Sequence, residues 1–229
     1  MYNLDLHVHS IYSRDSILKP ERIIKISKKK GLSGIAITDH NTITGAIKIK
    51  SLESDDFMVI LGSEITTDKG DVIGLFLNEN IKPRRFIDVI DAINDQGGIS
   101  ILPHPYKNKL ADPVELIKNV DMVEVMNARI SKKLNDKASI LSKRFGKGIV
   151  AGSDAHTSFE VGRVQSILTD IKTFDSSEDV KKYLLNGNVN IWGNESPFHI
   201  RMLSTGIGKY NKAGITGLVK AGLHKVLLR

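Results

Sequence analysis

The 229-residue chain, 41% hydrophobic and 26% charged, has the length and balance of a globular protein with a sizeable core, which excludes a disordered or fibrous chain. It contains no cysteine, so disulfides and thiolate metal sites are excluded and any metal must be held by nitrogen and oxygen ligands. The formal charge of +7 gathers at one end: from Phe198 onward there are Arg201, Lys209, Lys212, Lys220, Lys225 and Arg229 and no acidic residue, so the preceding body is nearly neutral.

The first residues enter a strand without the basic and apolar regions of a signal peptide, and no apolar run reaches the roughly 20 residues that cross a bilayer. A cytoplasmic protein is therefore expected. "NLDLHVH" reads as a strand and "KPERIIKISKKKG" as a helix, with Pro20 in its first turn and Gly31 as its stop. "SGIAITDH" is a second strand, followed by a helical "TGAIKIKSLE"; "FMVILGSEIT" and "DVIGLFL" are further strands. Then come a helix at "RRFIDVIDAINDQGG", a strand at "GISILPHP", a helix at "DPVELIKNV" and a strand at "DMVEVMNAR". "KLNDKASILSKRFG" is helical, "KGIVAGSDAH" a strand, and "SSEDVKKYLLNGN" one more helix. Strands alternating with helices predict a mainly parallel sheet, closed or nearly closed as a barrel. No linker divides residues 1–195, which read as one domain; residues 196–229 form a basic tail, expected to pack on the barrel.

Polar residues stand where these strands end: His7 and His9, Asp39 and His40, Glu64, His104, Asn127, then Asp154 and His156. In a strand, side chains two apart share a face, so His7 and His9 converge while Val8 points away. The carboxyl ends of the strands are the face on which barrel enzymes build their sites. A single histidine there is more often a satisfied core or surface residue, and Asp39, Ser63 or Ser153 can simply cap a helix or orient a neighbouring imidazole. The co-occurrence carries more weight. His7, His9, His40, His104 and His156 with Glu64 and Asp154 supply nitrogen and oxygen ligands for at least two cations, and burying such a cluster without metal is costly.

"HVHS", "TDHN", "GSE", "PHP" and "GSDAH", in this order, resemble the PHP (polymerase and histidinol phosphatase) family of metal-dependent phosphoesterases over residues 1 to about 165. The resemblance implies a distorted (β/α)7 TIM-like barrel with two or three divalent ions (manganese, zinc or iron) at the C-terminal strand ends. It implies His7, His9, Glu64 and Asp154 as ligands of a first metal. Glu64 would bridge to a second, held also by His104, with Asn127 where some branches have histidine. Asp15, His40 and His156 would hold a third, and the carboxylate of Asp15 favours manganese or iron there. His7, His9, Glu64, Asp154 and His156 form the implied catalytic set, with Asp39 supporting it from behind. The implied reaction is hydrolysis of phosphate mono- or diesters by a metal-activated hydroxide, on small nucleotides or RNA or DNA ends. Arg129 and Arg163 are candidates for gripping phosphate, with surface salt bridges as the equal alternative.

Three other readings stand beside this one: histidinol phosphatase, an amidohydrolase-type metal hydrolase, and a non-catalytic PHP binding module. Amidohydrolases often carry a bridging lysine, which no strand end supplies here; the intact ligand set argues against a binding module. The expected partner is a phosphorylated small molecule or nucleotide, with nucleic acid steered by the basic tail as a further possibility, and no membrane.

Overall fold

Short runs rich in β-branched residues build the strands: β1 (Tyr2–Val8), β2 (Gly34–Ile37), β3 (Met58–Thr67), β4 (Gly70–Leu75), β5 (Ile99–Leu102), β6 (Met122–Asn127) and β7 (Gly148–Gly152). The computed structural model describes residues 1–82, 84–107, 110–169, 176–186 and 189–226, with side chains of the last helix described through residue 211 and at 214. Between the strands lie α1 (Pro20–Lys29), α2 (Thr44–Lys50), α3 (Phe86–Asp95), α4 (Pro113–Leu116) with a 3-10 turn at Ile117–Asn119, and α5 (Lys132–Phe145). Proline opens α1 and α4, where a missing N–H costs nothing. Beyond β7 come β8 (Val164–Leu168), α6 (Ser177–Leu185), β9 (Val189–Gly193) and α7 (Phe198–Val226).

One sheet runs in the order β7-β6-β5-β4-β3-β2-β1-β8-β9. β1, β2 and β3 are mutually parallel, as are β5, β6 and β7. β4 is antiparallel to both its neighbours. The sheet does not follow the expected seven βα units: β1 to β7 run along it, but β3 and β4 form an antiparallel pair. Only Asp68 and Lys69 separate β3 from β4, and a parallel crossover needs a dozen or more residues, so this connection can only be a hairpin. The sheet also extends past β1 through β8 and β9, two short strands that the alternation pattern did not reveal.

The sheet curls until its ends meet. Asp154 N donates to the His7 carbonyl at 2.8 Å and His9 N to the Ala155 carbonyl at 3.0 Å, so the chain leaving β7 seals against the end of β1. Gly152 permits this approach: a Cβ there would sit 2.1 Å from His7 Cβ. Leu4, Ala36, Ile60, Ile73, Ile101, Met122 and Val150, from each of β1 to β7, share one buried cluster with Val180 and Leu184 of α6. That cluster is the barrel interior, and α6 plugs its lower end. Outside, α1 and α2 cover β1 and β2 through Ile23, Ile26, Ala46 and Ile49. Helices α3 and α5 cover the other half through Val89, Ile93 and Leu141.

The first turns of α7 lie against the barrel. Arg201 donates to the Arg129 carbonyl at 3.3 Å, and Ser196 N to that of Ala128 at 2.6 Å. Ser204 is buried, and a Cβ at Gly208 would sit 2.9 Å from Asp15 Cβ. Among the described residues no helix is long and apolar enough to cross a membrane.

Candidate metal centre

The interior apolar layer stops where the strands end, and there the imidazoles begin. His7 Nε2 and His9 Nε2 face each other at 3.1 Å. Glu64 Oε2 lies 3.5 Å from the first and 3.3 Å from the second, and Asp154 Oδ1 lies 3.8 and 3.5 Å from them. His104 Nε2 is 2.9 Å from Glu64 Oε1. On the other side of His9, the rings of His40 and His156 lie tilted against it at centroid distances of 4.5 and 4.4 Å, and Asp15 reaches both, at 3.4 and 3.5 Å. Donor atoms of His7, His9 and Glu64, of His7, His104 and Asp154, and of His9, His40 and His156 each lie within 4.8 Å of one another. All five strand-end histidines, with Asp15, Glu64 and Asp154, therefore share one pocket.

Two left-handed residues help. His104 (φ 30°) and Asp154 (φ 53°) turn their side chains inward just after β5 and β7, in a backbone region that costs about 1–3 kcal/mol for a non-glycine residue. Such local strain is held by surrounding structure and collects at functional sites.

The electrostatics demand positive charge between these groups. Burial alone would raise the Glu64 and Asp154 carboxyls, but the imidazoles around Glu64, and Lys107, His7 and Arg129 around Asp154, hold both well below the usual carboxylate range. Burial would likewise lower His9, yet its hydrogen bonds to Asp154 and Glu64 push it up to about 9. His7 is raised against burial by Glu124, Asp154 and Glu64. Two imidazole nitrogens 3.1 Å apart amid ionised carboxylates are an arrangement that a divalent cation satisfies better than protons do. Burial and the charges of His9 and Arg129 push His156 down to about 4, so at neutral pH it is an unprotonated imidazole. Nitrogen and carboxylate donors without sulfur suit manganese, iron or zinc. The residues fit a multinuclear centre.

Groups behind the donors fix their orientation. Asp39 accepts from Ser10 N, Ser10 Oγ and Ser13 Oγ at 2.7, 2.6 and 2.8 Å, and Ser13 Oγ stands 3.2 Å from His9 Nδ1. Asn127 is engaged at both ends of its amide: Nδ2 donates to Glu124 and Asp154 at 2.9 and 3.3 Å, and Oδ1 accepts from Arg129 N. In this arrangement it orients two carboxylates. Arg129 lies at the rim, its Nη1 2.7 Å from His156 Nδ1 and 3.7 Å from Asp154 Oδ1. Arg163 is placed elsewhere, in a pocket with Lys30 and Trp192.

Sequence patterning missed three members of the pocket. Glu124, inside β6, lies 2.9 Å from His7 Nδ1 and accepts from His104 N. Lys107, five residues past β5, brings Nζ to 3.5 Å from both His104 Nε2 and Asp154 Oδ2. A lysine thus does enter the centre, from a loop rather than a strand end. Asp71 on β4 completes a further donor group with Glu64 and His104. Only the run "PHPYK", a cation shortly after a candidate ligand, carried a local signal for any of them.

Residues 5–186 match the family described as PHP domain. An uncharacterized protein of Methanocaldococcus jannaschii is 44% identical over 139 residues, covering 54% of this chain and 81% of its own. A protein named as a probable phosphatase in Thermoanaerobacter sp. is 25% identical over 245 residues, covering 84% and 98%. Among solved structures, PsfC from Pseudomonas syringae superposes with a TM-score of 0.67 at 14% identity, over 93% of this chain and 98% of that one, a likeness of fold alone.

Proposed function

The chain belongs to the PHP domain family, and from that premise we propose that it is a metal-dependent phosphoesterase hydrolysing phosphate mono- or diesters, with small nucleotides or nucleic-acid ends as substrates. One observation carries the reading: the buried carboxylates and imidazoles of the centre are flanked by two side-chain cations, Lys107 and Arg129, which both approach Asp154. Ligands for cations with further cations at the edge suit a substrate that arrives with several negative oxygens. The name of the Thermoanaerobacter relative agrees with this class of reaction.

In this reading His7, His9, Glu64 and Asp154 would hold one ion, Glu64 and His104 a second, and Asp15, His40 and His156 a third. Bound there, divalent ions supply Lewis acidity and draw the pKa of water toward neutrality. Glu124 fixes the ring of His7 from behind, as Ser13 and Asp39 fix that of His9. Arg129 grips phosphoryl oxygens through its guanidinium and stabilises the charge that builds as the ester bond breaks. Burial would lower Lys107, but Asp154 and Glu64 raise it, so it stays protonated and donates hydrogen bonds to the same oxygens.

The test is turnover of p-nitrophenyl phosphate, mono- and bisphosphorylated nucleotides, oligonucleotides, histidinol phosphate and hydantoin-type amides, each with manganese, zinc or iron. Phosphate release from at least one ester, abolished by His9→Ala and by Asp154→Asn in folded protein, is the expected result. Full turnover after chelation, or turnover of amides alone, overturns the reading.

A further inference from the structure

The outer face of the last two strands holds a pocket of another kind. β9 is the edge of the sheet, and Trp192 pairs across it with Gln165 of β8. Ile191 packs into the core, so Trp192 points to the opposite face, where it is 57% exposed. Beside it opens a cavity of about 320 Å³, within the range of small-molecule sites, lined by Lys30, Gly162, Arg163, Gln165, Trp192 and Asn194 among others.

Its lining carries two basic side chains and no carboxylate. Arg163 Nε is buried with no hydrogen-bond partner among the described residues. Lys30 donates to the Val161 carbonyl at the same pocket; burial lowers its pKa and the charge of Arg163 lowers it further. The carboxylate that favours the Lys30 charge, Asp5, is fully buried and already accepts from Ser153 N at 2.8 Å and Gly162 N at 2.7 Å. Two basic side chains on one lining suit an anion, and the exposed flat indole beside them suits an aromatic ring.

We propose that this pocket is a second binding site, separate from the metal centre, for a nucleotide phosphate, with the base stacked on Trp192 and the phosphate held by Arg163 and Lys30. Stacking on an aromatic platform next to basic groups is how single nucleotides and single strands are held without sequence readout. The ligand is a free nucleotide or one unit of a strand.

Trp192 is the only tryptophan, so intrinsic fluorescence reads this pocket directly. Chelator-treated full-length protein is titrated with adenosine 5′-monophosphate, adenosine, inorganic phosphate and a short single-stranded oligonucleotide. Saturable change with the nucleotide is expected, with adenosine and phosphate alone weaker, and Arg163→Gln and Lys30→Gln each weakening binding by about tenfold. Tighter binding of the oligonucleotide identifies a strand as the source, and equal or weaker binding a free nucleotide. Asp154→Asn, which disables the centre, leaves the titration unchanged, so the result does not depend on the hydrolase reading. No change with nucleotide or oligonucleotide, unaltered binding in both pocket variants, or loss of the signal in Asp154→Asn overturns the proposal.

Discussion

Glu124 illustrates how much of this centre is held from outside its donor atoms. One carboxylate faces His7 Nδ1 and accepts from His104 N and Asn127 Nδ2, so it sets the orientation of three groups at once. Glu124→Gln keeps the shape but puts an amide NH2 where an acceptor is needed. Metal content and kcat/KM should each fall about 10–100-fold, as for other residues that orient a metal ligand. Metal analysis of purified protein alongside steady-state assays checks this. His9 makes a pH prediction. With its proton held up to about 9, metal uptake must displace that proton at neutral pH. Because His7, a proposed ligand of the same ion, is raised as well, apparent affinity should rise by about tenfold per pH unit for each displaced proton, up to about a hundredfold for the pair, and begin to flatten near that value. Calorimetric titration with manganese at pH 7 and 8, in buffers of different ionisation enthalpy, measures the slope and the released proton together.

The seam between β7 and β1 is the element on which the geometry depends. Gly152 lets the two backbones meet, and the obstacles to a larger residue there include His7 N at 2.9 Å, which cannot swing aside. Gly152→Ala should destabilise by about 1–3 kcal/mol through overpacking. A lower urea midpoint with unchanged slope would report this, and an unaltered midpoint would show that the seam can relax. The hairpin of β3 and β4 brings Asp71 near Glu64 and His104. At the opposite side α7 meets both Asp15 and Arg129, so the basic segment borders the centre through its first turns. The bases Lys220, Lys225 and Arg229 lie in the part whose side chains are outside the described residues.

Across the molecule, the candidate metal centre gathers His7, His9, Glu64, His104, Glu124, Asp154 and His156, all buried, into one place. Ions held there would bind the folded chain, in which donors from β1, β3 and the segments after β1, β2, β5 and β7 meet, and not the unfolded one. Manganese or zinc at 100 times its dissociation constant should stabilise the protein by about 2.7 kcal/mol. For a chain of this length that raises the thermal midpoint by roughly 5–10 °C. Thermal melts with and without chelator give the difference; equal midpoints would mean that the donors do not take up metal from solution.

Local pattern was enough for the alternation of strands and helices, for the pairing of His7 with His9 on one face, and for placing the five histidines and Asp154 at or just past strand ends, whereas Glu64, expected to end its strand, lies within β3, which runs on to Thr67. These follow from side-chain periodicity and the turn chemistry of glycine and proline, which act over a few residues. Four matters lay beyond its reach. The antiparallel β4 came from a loop too short to cross over, and β8 and β9 from pairing partners far along the chain. Glu124 looked like any polar residue in a strand until folding set it beside His7, 117 positions away. Arg163 carried the same charge as Arg129 in the linear chain, yet one lies at the metal centre and the other beside Trp192. Electrostatic contact depends on distance in space, and a barrel sets that distance only when its first and last strands close.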